Sequence, residues 1–457
     1  MESIKDIYKI GRGPSSSHTM APNRAAFIFI EKHPAAQNCK IILYGSLAKT
    51  GKGHLTDKTL KQAFLPRSVE VVFDKETVLL HPMVMDIIAD EGEIKKGKKT
   101  TKRSEKESKT TDRKQESGGV TYNPQGLADD EKECGGAVGN SHTPTDSEKK
   151  IFWRVYSLGG GRLKIDGDAD LDRVYVYPHR KFDHIKSYCA VNDLRLYEYV
   201  ESFEGWEIFD YLREVWAAMK QSIDQGLATD GILDGGLGVK RKAKWLYNQR
   251  HMDESAETRE NRLVCAFAYA VSEQNASGGQ IVTAPTCGAC GVLPAVLRYM
   301  QIRRGYPDED IIKALATAGI IGEVIKTNAS ISGAECGCQA EIGSACAMAA
   351  AALGELFAMS LDQIEYAAEI CIEHHLGLTC DPIAGLVQVP CIERNAVAAM
   401  RAINAVSLAN FLTGTRLISF DTVVETMFET GKDLGAGYRE TGESGLAKLY
   451  KDYKKED

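Results

Sequence analysis

The sequence predicts an α+β N-terminal domain followed by an all-α domain, and three observations carry that prediction. Short β-rich runs bounded by turn residues recur through the first third of the chain. From about Asp183 the apolar spacing becomes helical and stays so. The 457 residues also exceed the size at which one core usually keeps growing, so two domains, residues 1–182 and 183–457, are expected.

In the first domain, residues 25–31 read as a short helix, and residues 40–45, 69–74 and 77–81 read as strands. From about residue 90 to 150 the composition shifts to Lys, Glu, Ser, Thr, Gly and Asp, with Tyr122 the single aromatic between Phe73 and Phe152. Such a segment has too little apolar surface to fold alone and is expected to be a disordered insertion, in which Cys134 has no chemical part. Deleting roughly residues 96–150 should therefore leave turnover and stability nearly unchanged, and a truncated protein that precipitates would contradict this. The strand pattern resumes at residues 152–158, breaks at Gly159-Gly160-Gly161 and returns at residues 173–177 before Pro178.

In the second domain, Ser360-Leu-Asp-Gln363 has capping-box spacing ahead of Ile364, Ala367, Ala368 and Cys371, and Gly377 offers a stop. Cys380 falls just past that end. Pro390 precedes an Ala- and Val-rich helical run, which puts Cys391 at a helix N-terminus, where the dipole favours a thiolate. Cys338 likewise precedes the helical run 342–359. Three thiols at loop and helix edges suit an iron–sulfur cluster with one iron left open, although their separations of 42 and 11 residues match no compact motif. Zinc competes, with Cys287-Gly-Ala-Cys290 as half a site, and a buried structural role competes for any single cysteine, as at Cys265, Cys346 and Cys371.

No stretch approaches the ~18 apolar residues of a membrane span, and the start lacks a signal peptide's apolar core. A cytoplasmic protein with no membrane partner is expected, and twelve cysteines then read as reduced thiols or metal ligands. The net charge of −7 argues against nucleic acid.

Two N-terminal segments carry concentrated chemistry. Gly13-Pro-Ser-Ser-Ser-His-Thr-Met-Ala-Pro22 packs hydroxyls and an imidazole between prolines, a loop able to bind a carboxylate, or else a polar turn. Gly45-Ser-Leu-Ala-Lys-Thr-Gly-Lys-Gly-His-Leu-Thr-Asp57 superficially suggests a phosphate loop, but the spacer to Gly51 is one residue too long and Gly53 occupies the Ser/Thr position. It is instead a Gly-rich turn presenting His54, which titrates in the range useful for proton transfer or is simply structural.

These segments, with Tyr156-Ser-Leu-Gly-Gly-Gly161, Thr283-Ala-Pro-Thr-Cys-Gly-Ala289, Asn328-Ala-Ser-Ile-Ser-Gly-Ala-Glu335 and Cys380-Asp-Pro-Ile-Ala-Gly-Leu-Val-Gln-Val-Pro-Cys391, closely resemble the blocks of the iron–sulfur L-serine dehydratases, in order and over nearly the whole chain apart from the insertion. The resemblance implies an N-terminal β domain, a helical catalytic domain and a [4Fe–4S] cluster held by Cys338, Cys380 and Cys391, with no pyridoxal phosphate. It also implies His18 and His54 as the acid–base residues. The expected reaction takes L-serine to pyruvate and ammonia: the open iron acts as Lewis acid on the hydroxyl, and His54 removes the α-proton. Ser15, Ser16, Ser17 and Thr19, with His18, would orient the substrate, and Asn328, Ser330 and Ser332 would line the other wall. A homodimer is expected. One departure from the family stands out: the segment after Tyr438-Arg-Glu-Thr441 contains no cysteine, where many relatives end in one that caps the fourth iron. An open resting iron is therefore expected, with Cys287, Cys290 and Cys336 as substitutes. Two rivals are an iron–sulfur lyase acting on another small β-substituted acid and a non-enzymatic amino-acid sensor.

Overall fold

The computed structural model describes all residues except 82, 92–149, 168–173, 251–253, 413 and 457. The expected insertion at 90–150 thus lies almost wholly outside the described residues.

The N-terminal part holds β1 (Ile10–Arg12), α1 (Ala21–Lys32), β2 (Gln37–Tyr44), α2 (Gly45–Thr50), α3 (Thr56–Ala63), β3 (Val69–Asp74), β4 (Met83–Asp90), β5 (Lys150–Ser157) and β6 (Leu163–Ile165). Five strands form one mixed sheet in the order β3-β2-β4-β5-β6; β2 and β3 run parallel and the other neighbours antiparallel. Alternate β2 residues Cys39, Ile41 and Leu43 face a core shared with Ala25, Ala26 and Phe29 of α1 and Leu60 of α3. Across the β4–β5 pair, the Arg154 guanidinium forks onto Asp86 with two 2.8 Å bonds, which neutralises the carboxylate buried within the sheet.

Two expected strands are corrected. Residues 77–81 form no strand. The Asp74 carboxylate accepts from Glu76 N, Thr77 N and Thr77 Oγ1, a turn that ends β3, and Val78 and Leu80 project into solvent. The sheet takes Met83–Asp90 as its next strand instead. Residues 174–177 make only an isolated bridge, Tyr175 to Glu2, because Val176 N and Tyr177 N both donate to Met1 O, while Arg173 lies outside the described residues.

The helical part comprises α4 (Phe182–Asn192), α5 (Leu196–Glu204), α6 (Glu207–Ala228), α7 (Ala243–Asn248), α8 (Ala256–Ala276), the short strand β7 (Gln280–Val282), α9 (Val292–Arg304), α10 (Asp308–Asn328), α11 (Gly333–Cys336), α12 (Ser344–Leu356), α13 (Leu361–Glu373), α14 (Cys391–Phe411), α15 (Phe420–Asp433) and α16 (Gly445–Glu456). α12 is buried along almost its whole length, with α10 and α13 packed on it, and its run of alanines lets those helices approach closely. The capping box at Ser360 and Gln363 forms as the spacing requires. None of the described helices is long and apolar enough to cross a membrane.

The two parts are stitched together at the start of the chain. Met1, Ile4, Ile7 and Tyr8 are buried in the helical core rather than against the sheet, and the Tyr8 hydroxyl donates to Leu315 O at 2.7 Å. β1 then pairs antiparallel with β7. This tether delivers residues 13–20 directly to the face of the helical part.

Candidate active site

The serine-rich segment enters the site as an extended loop followed by a π-helical turn, Ser16–Met20. Gly13 has no room for a side chain, since a Cβ there would lie 1.9 Å from Asn275 Oδ1, and Asn275 Nδ2 donates to Pro14 O at 3.0 Å. From the sheet side, Ser157 Oγ donates to Ser17 O at 2.9 Å, and Lys9 Nζ donates to Gly160 O at 3.0 Å. The loop is thereby clamped between the end of α8 and the end of β5. Within it, Ser15 Oγ accepts from His18 N, and Ser16 Oγ accepts from Cys287 N at 2.8 Å.

His54 sits on the turn between α2 and α3, fully buried beside His18, with ring centroids 4.4 Å apart. The two segments hold each other through backbone carbonyls. Thr19 Oγ1 donates to His54 O at 2.7 Å and Thr56 Oγ1 donates to His18 O at 2.6 Å. His18 Nε2 meets Ser46 Oγ at 3.0 Å, whereas neither ring nitrogen of His54 has a hydrogen-bond partner among the described residues. Burial pushes His54 down to about 4, and burial together with neighbouring His54 pushes His18 well below the usual histidine range. Both rings are neutral near pH 7, the form that accepts a proton.

The cysteines arrive from three directions. Cys338 lies at the turn after α11, and Gln339, next in sequence, ties that turn to the strand-like segment before Cys380 by accepting from Gly377 N and donating its own N–H to Leu378 O. Cys380 N donates to Tyr438 O and Glu440 N donates to Cys380 O, both at 2.8 Å, so the segment after α15 pairs with the Cys380 strand. Cys391 is the first residue of α14, where Asn395 holds Cys391 O and Gly288 O together. The Arg394 guanidinium, one helical turn on, donates to Thr379 O at 2.6 Å and lies beside the Cys338 thiol. A hydrogen bond from Cys380 and the Arg394 charge hold Cys338 below the usual thiol range; the same hydrogen bond, with burial, pushes Cys380 far above it, and burial pushes Cys391 up.

These parts converge on one cavity. Ser15, Ser16, Ser17, His54, Ser332, Cys380 and Cys391 all line it, together with Glu341 and Glu440. Cys338, His18 and Thr19 lie outside the lining, Cys338 next to Cys380, and His18 and Thr19 next to His54. Asn328 and Ser330 lie outside the lining. Asn328 Nδ2 is committed to Arg180 O and Val324 O, while Ser330 Oγ donates to Glu335 and accepts from Ser332 N, which shapes the loop that presents Ser332. Cys265, Cys346 and Cys371 are remote from the cavity, and Cys287 is buried behind Ser16, its thiol pushed up to about 12 by burial.

Sequence reasoning missed Ser46, Glu341, Arg394 and Glu440. Helical spacing offered a signal for two of them, because Glu341 follows Cys338 by three residues and Arg394 follows Cys391 by three, a separation that puts side chains on one helix face. Burial raises Glu341, and it raises Glu440 to about 8 with help from the nearby Glu341 and Cys338.

The His54 turn sits against the loop after Cys380 with no space to spare: a Cβ on Gly53 would lie 2.9 Å from Gly385 O and 3.2 Å from Ala384 O. Both obstacles are backbone, so Gly53→Ala is expected to separate the loops and cost about 1–3 kcal/mol of stability, with a fall in any activity that depends on His54. Thermal unfolding of the variant checks this; an unchanged midpoint would contradict it.

The family description "Serine dehydratase alpha chain" matches residues 92–447, and "Serine dehydratase beta chain" matches residues 3–120. Curated relatives include the L-serine dehydratase of Haemophilus influenzae, 38% identical over 98% of this chain and 99% of its own, and L-serine dehydratase 1 of Escherichia coli, 38% identical with the same coverage. The L-serine dehydratase of Streptomyces coelicolor is 37% identical over 97% of this chain and 98% of its own. The cavity is therefore built from both matched regions, and the chain belongs to the serine dehydratase family, with the beta-chain and alpha-chain regions joined in one polypeptide.

Proposed function

We propose that this chain is an L-serine dehydratase, eliminating water from L-serine to give an enamine that hydrolyses to pyruvate and ammonia. The family and the names of the full-length relatives support the substrate. One structural observation carries the reading: a single cavity is lined by a neutral imidazole without a hydrogen-bond partner among the described residues and by two cysteines, with a third cysteine beside one of them.

The elimination must break a weakly acidic Cα–H bond and expel hydroxide, a poor leaving group, so it needs a base at the α-carbon and an electrophile at the hydroxyl. The cysteine donor set at this cavity fits a [4Fe–4S] cluster. Cys338, Cys380 and Cys391 are free thiols, and the Arg394 cation beside them favours thiolates. These three would hold the cluster, which when bound supplies a Lewis-acidic iron for the hydroxyl. His54 takes the α-proton at its free ring nitrogen. Ser15, Ser16 and Ser17 receive the substrate's carboxylate with their hydroxyls, Ser332 also lines the cavity, and Thr19, through His54 O, fixes the base. His18, hydrogen-bonded to Ser46, backs His54 and can relay its proton. Asn328 and Ser330 act on the substrate only through the loop they hold.

Anaerobically prepared protein should form pyruvate from L-serine with a higher kcat/KM than it shows for pyruvate from L-cysteine or glycerate, or for 2-oxobutyrate from L-threonine. A higher value for another acid would replace the substrate, and serine binding without pyruvate would favour a sensor.

A further inference from the structure

The cavity contains an ionisable group that the proposed chemistry leaves unused. Glu440 is delivered by the segment after α15, whose pairing with Cys380 fixes its backbone on both sides. Its φ is +58°, a left-handed conformation that costs a residue with a Cβ about 1 kcal/mol and persists where the surroundings impose it. Leu55, next to His54, and Ala384, in the loop after Cys380, adopt the same conformation. The Glu440 side chain is 12% exposed, and its Oε1 lies 3.8 Å from His54 Nε2 and 3.9 Å from His18 Nδ1, beyond hydrogen-bond distance of both. Among the described residues its carboxylate accepts no hydrogen bond. The other carboxylate of the lining is committed: Glu341 Oε1 accepts from Thr286 Oγ1 at 2.6 Å, and Gly288 and Gly333 pack so closely on it that a Cβ at either would come within 3.1 and 2.9 Å of its oxygens.

We infer that Glu440 binds the ammonium group of the substrate and thereby separates amino acids from hydroxy acids, an assignment that rests on the dehydratase reading above. An ammonium brings three donors and a positive charge to a buried carboxylate that has neither. The amine is one bond from the carbon that loses its proton, so a carboxylate within 4 Å of the base's ring nitrogen lies where the amine must sit when the Cα–H bond points at His54. The serine-rich loop offers hydroxyls for the substrate carboxylate but no anion for the amine.

The test compares wild-type and Glu440→Gln holoenzyme, both prepared anaerobically and matched for iron content and visible absorbance. Loss of a charge-assisted contact should lower kcat/KM for L-serine about 10- to 100-fold, chiefly through KM. The competitive inhibition constant of D-serine should rise in parallel. That of 3-hydroxypropionate, which has the hydroxyl and carboxylate but no ammonium, should stay unchanged. A fall in kcat at constant KM, or equal weakening of both inhibitors, would overturn the assignment in favour of a role in positioning His54. If the Gln variant does not hold iron, Glu440→Asp gives the same readout with the charge kept and the reach shortened: KM and the D-serine constant should rise together while 3-hydroxypropionate is unaffected, and any other pattern counts against the proposal. Failure of the dehydratase reading itself would show separately, as wild-type holoenzyme that makes no pyruvate.

Discussion

Cys380→Ser protein, prepared anaerobically, is expected to lose the visible absorbance of an iron–sulfur cluster together with all turnover. Cys380 is held on both sides by backbone hydrogen bonds to the 438–440 segment and lines the cavity. A serine hydroxyl there keeps the shape and removes the soft ligand, leaving a three-cysteine set under-ligated. Cys338→Ser and Cys391→Ser should behave alike. Cys265→Ser is the control, since that residue packs against Met400 on the far side of α8 and should keep both absorbance and rate. Full iron content and full turnover in Cys380→Ser would move the cluster's ligands elsewhere.

His54→Ala should retain the absorbance and lose turnover by about 10² to 10⁴-fold, the range typical of a missing acid–base group. The backbone at position 54 is anchored independently of the ring, through His54 O to Thr19 and His54 N to Thr50 O, so the turn should survive the substitution. Solvent deuterium exchange at the serine α-carbon gives the sharper measurement and should fall with turnover. Exchange at the wild-type rate would pass the role of base to His18, whose ring lies 4.4 Å away.

Much of this arrangement was legible from residue spacing. The β-rich runs of β2 and β3 between turn residues, the capping box before α13 and the proline before α14 each act through neighbours in sequence, and each formed close to where expected. The misjudged strand at 77–81 shows the limit. Its β-branched and apolar residues fit a strand, but the Asp74 carboxylate captured the next backbone N–H groups and turned the chain away. The site was legible where a motif itself presents the side chain, as with His54 on its Gly-rich turn, and hidden where long-range pairing does so. Glu440 reaches the cavity only because its segment bonds to Cys380, 60 residues earlier. Asn328 shows the reverse: a polar residue in a suggestive motif whose amide is consumed by two carbonyls of its own surroundings.

The central claim is that Cys338, Cys380 and Cys391 hold an iron–sulfur cluster facing His54 in a serine-dehydrating site. Its most direct test is metal and sulfide analysis of anaerobically purified protein, paired with its rate of pyruvate formation from L-serine as iron and sulfide are removed and restored. The account predicts about four iron and four acid-labile sulfide per chain in fully active protein, with activity rising and falling in proportion to them. Full activity in protein that contains zinc or no metal, and no sulfide, would contradict it.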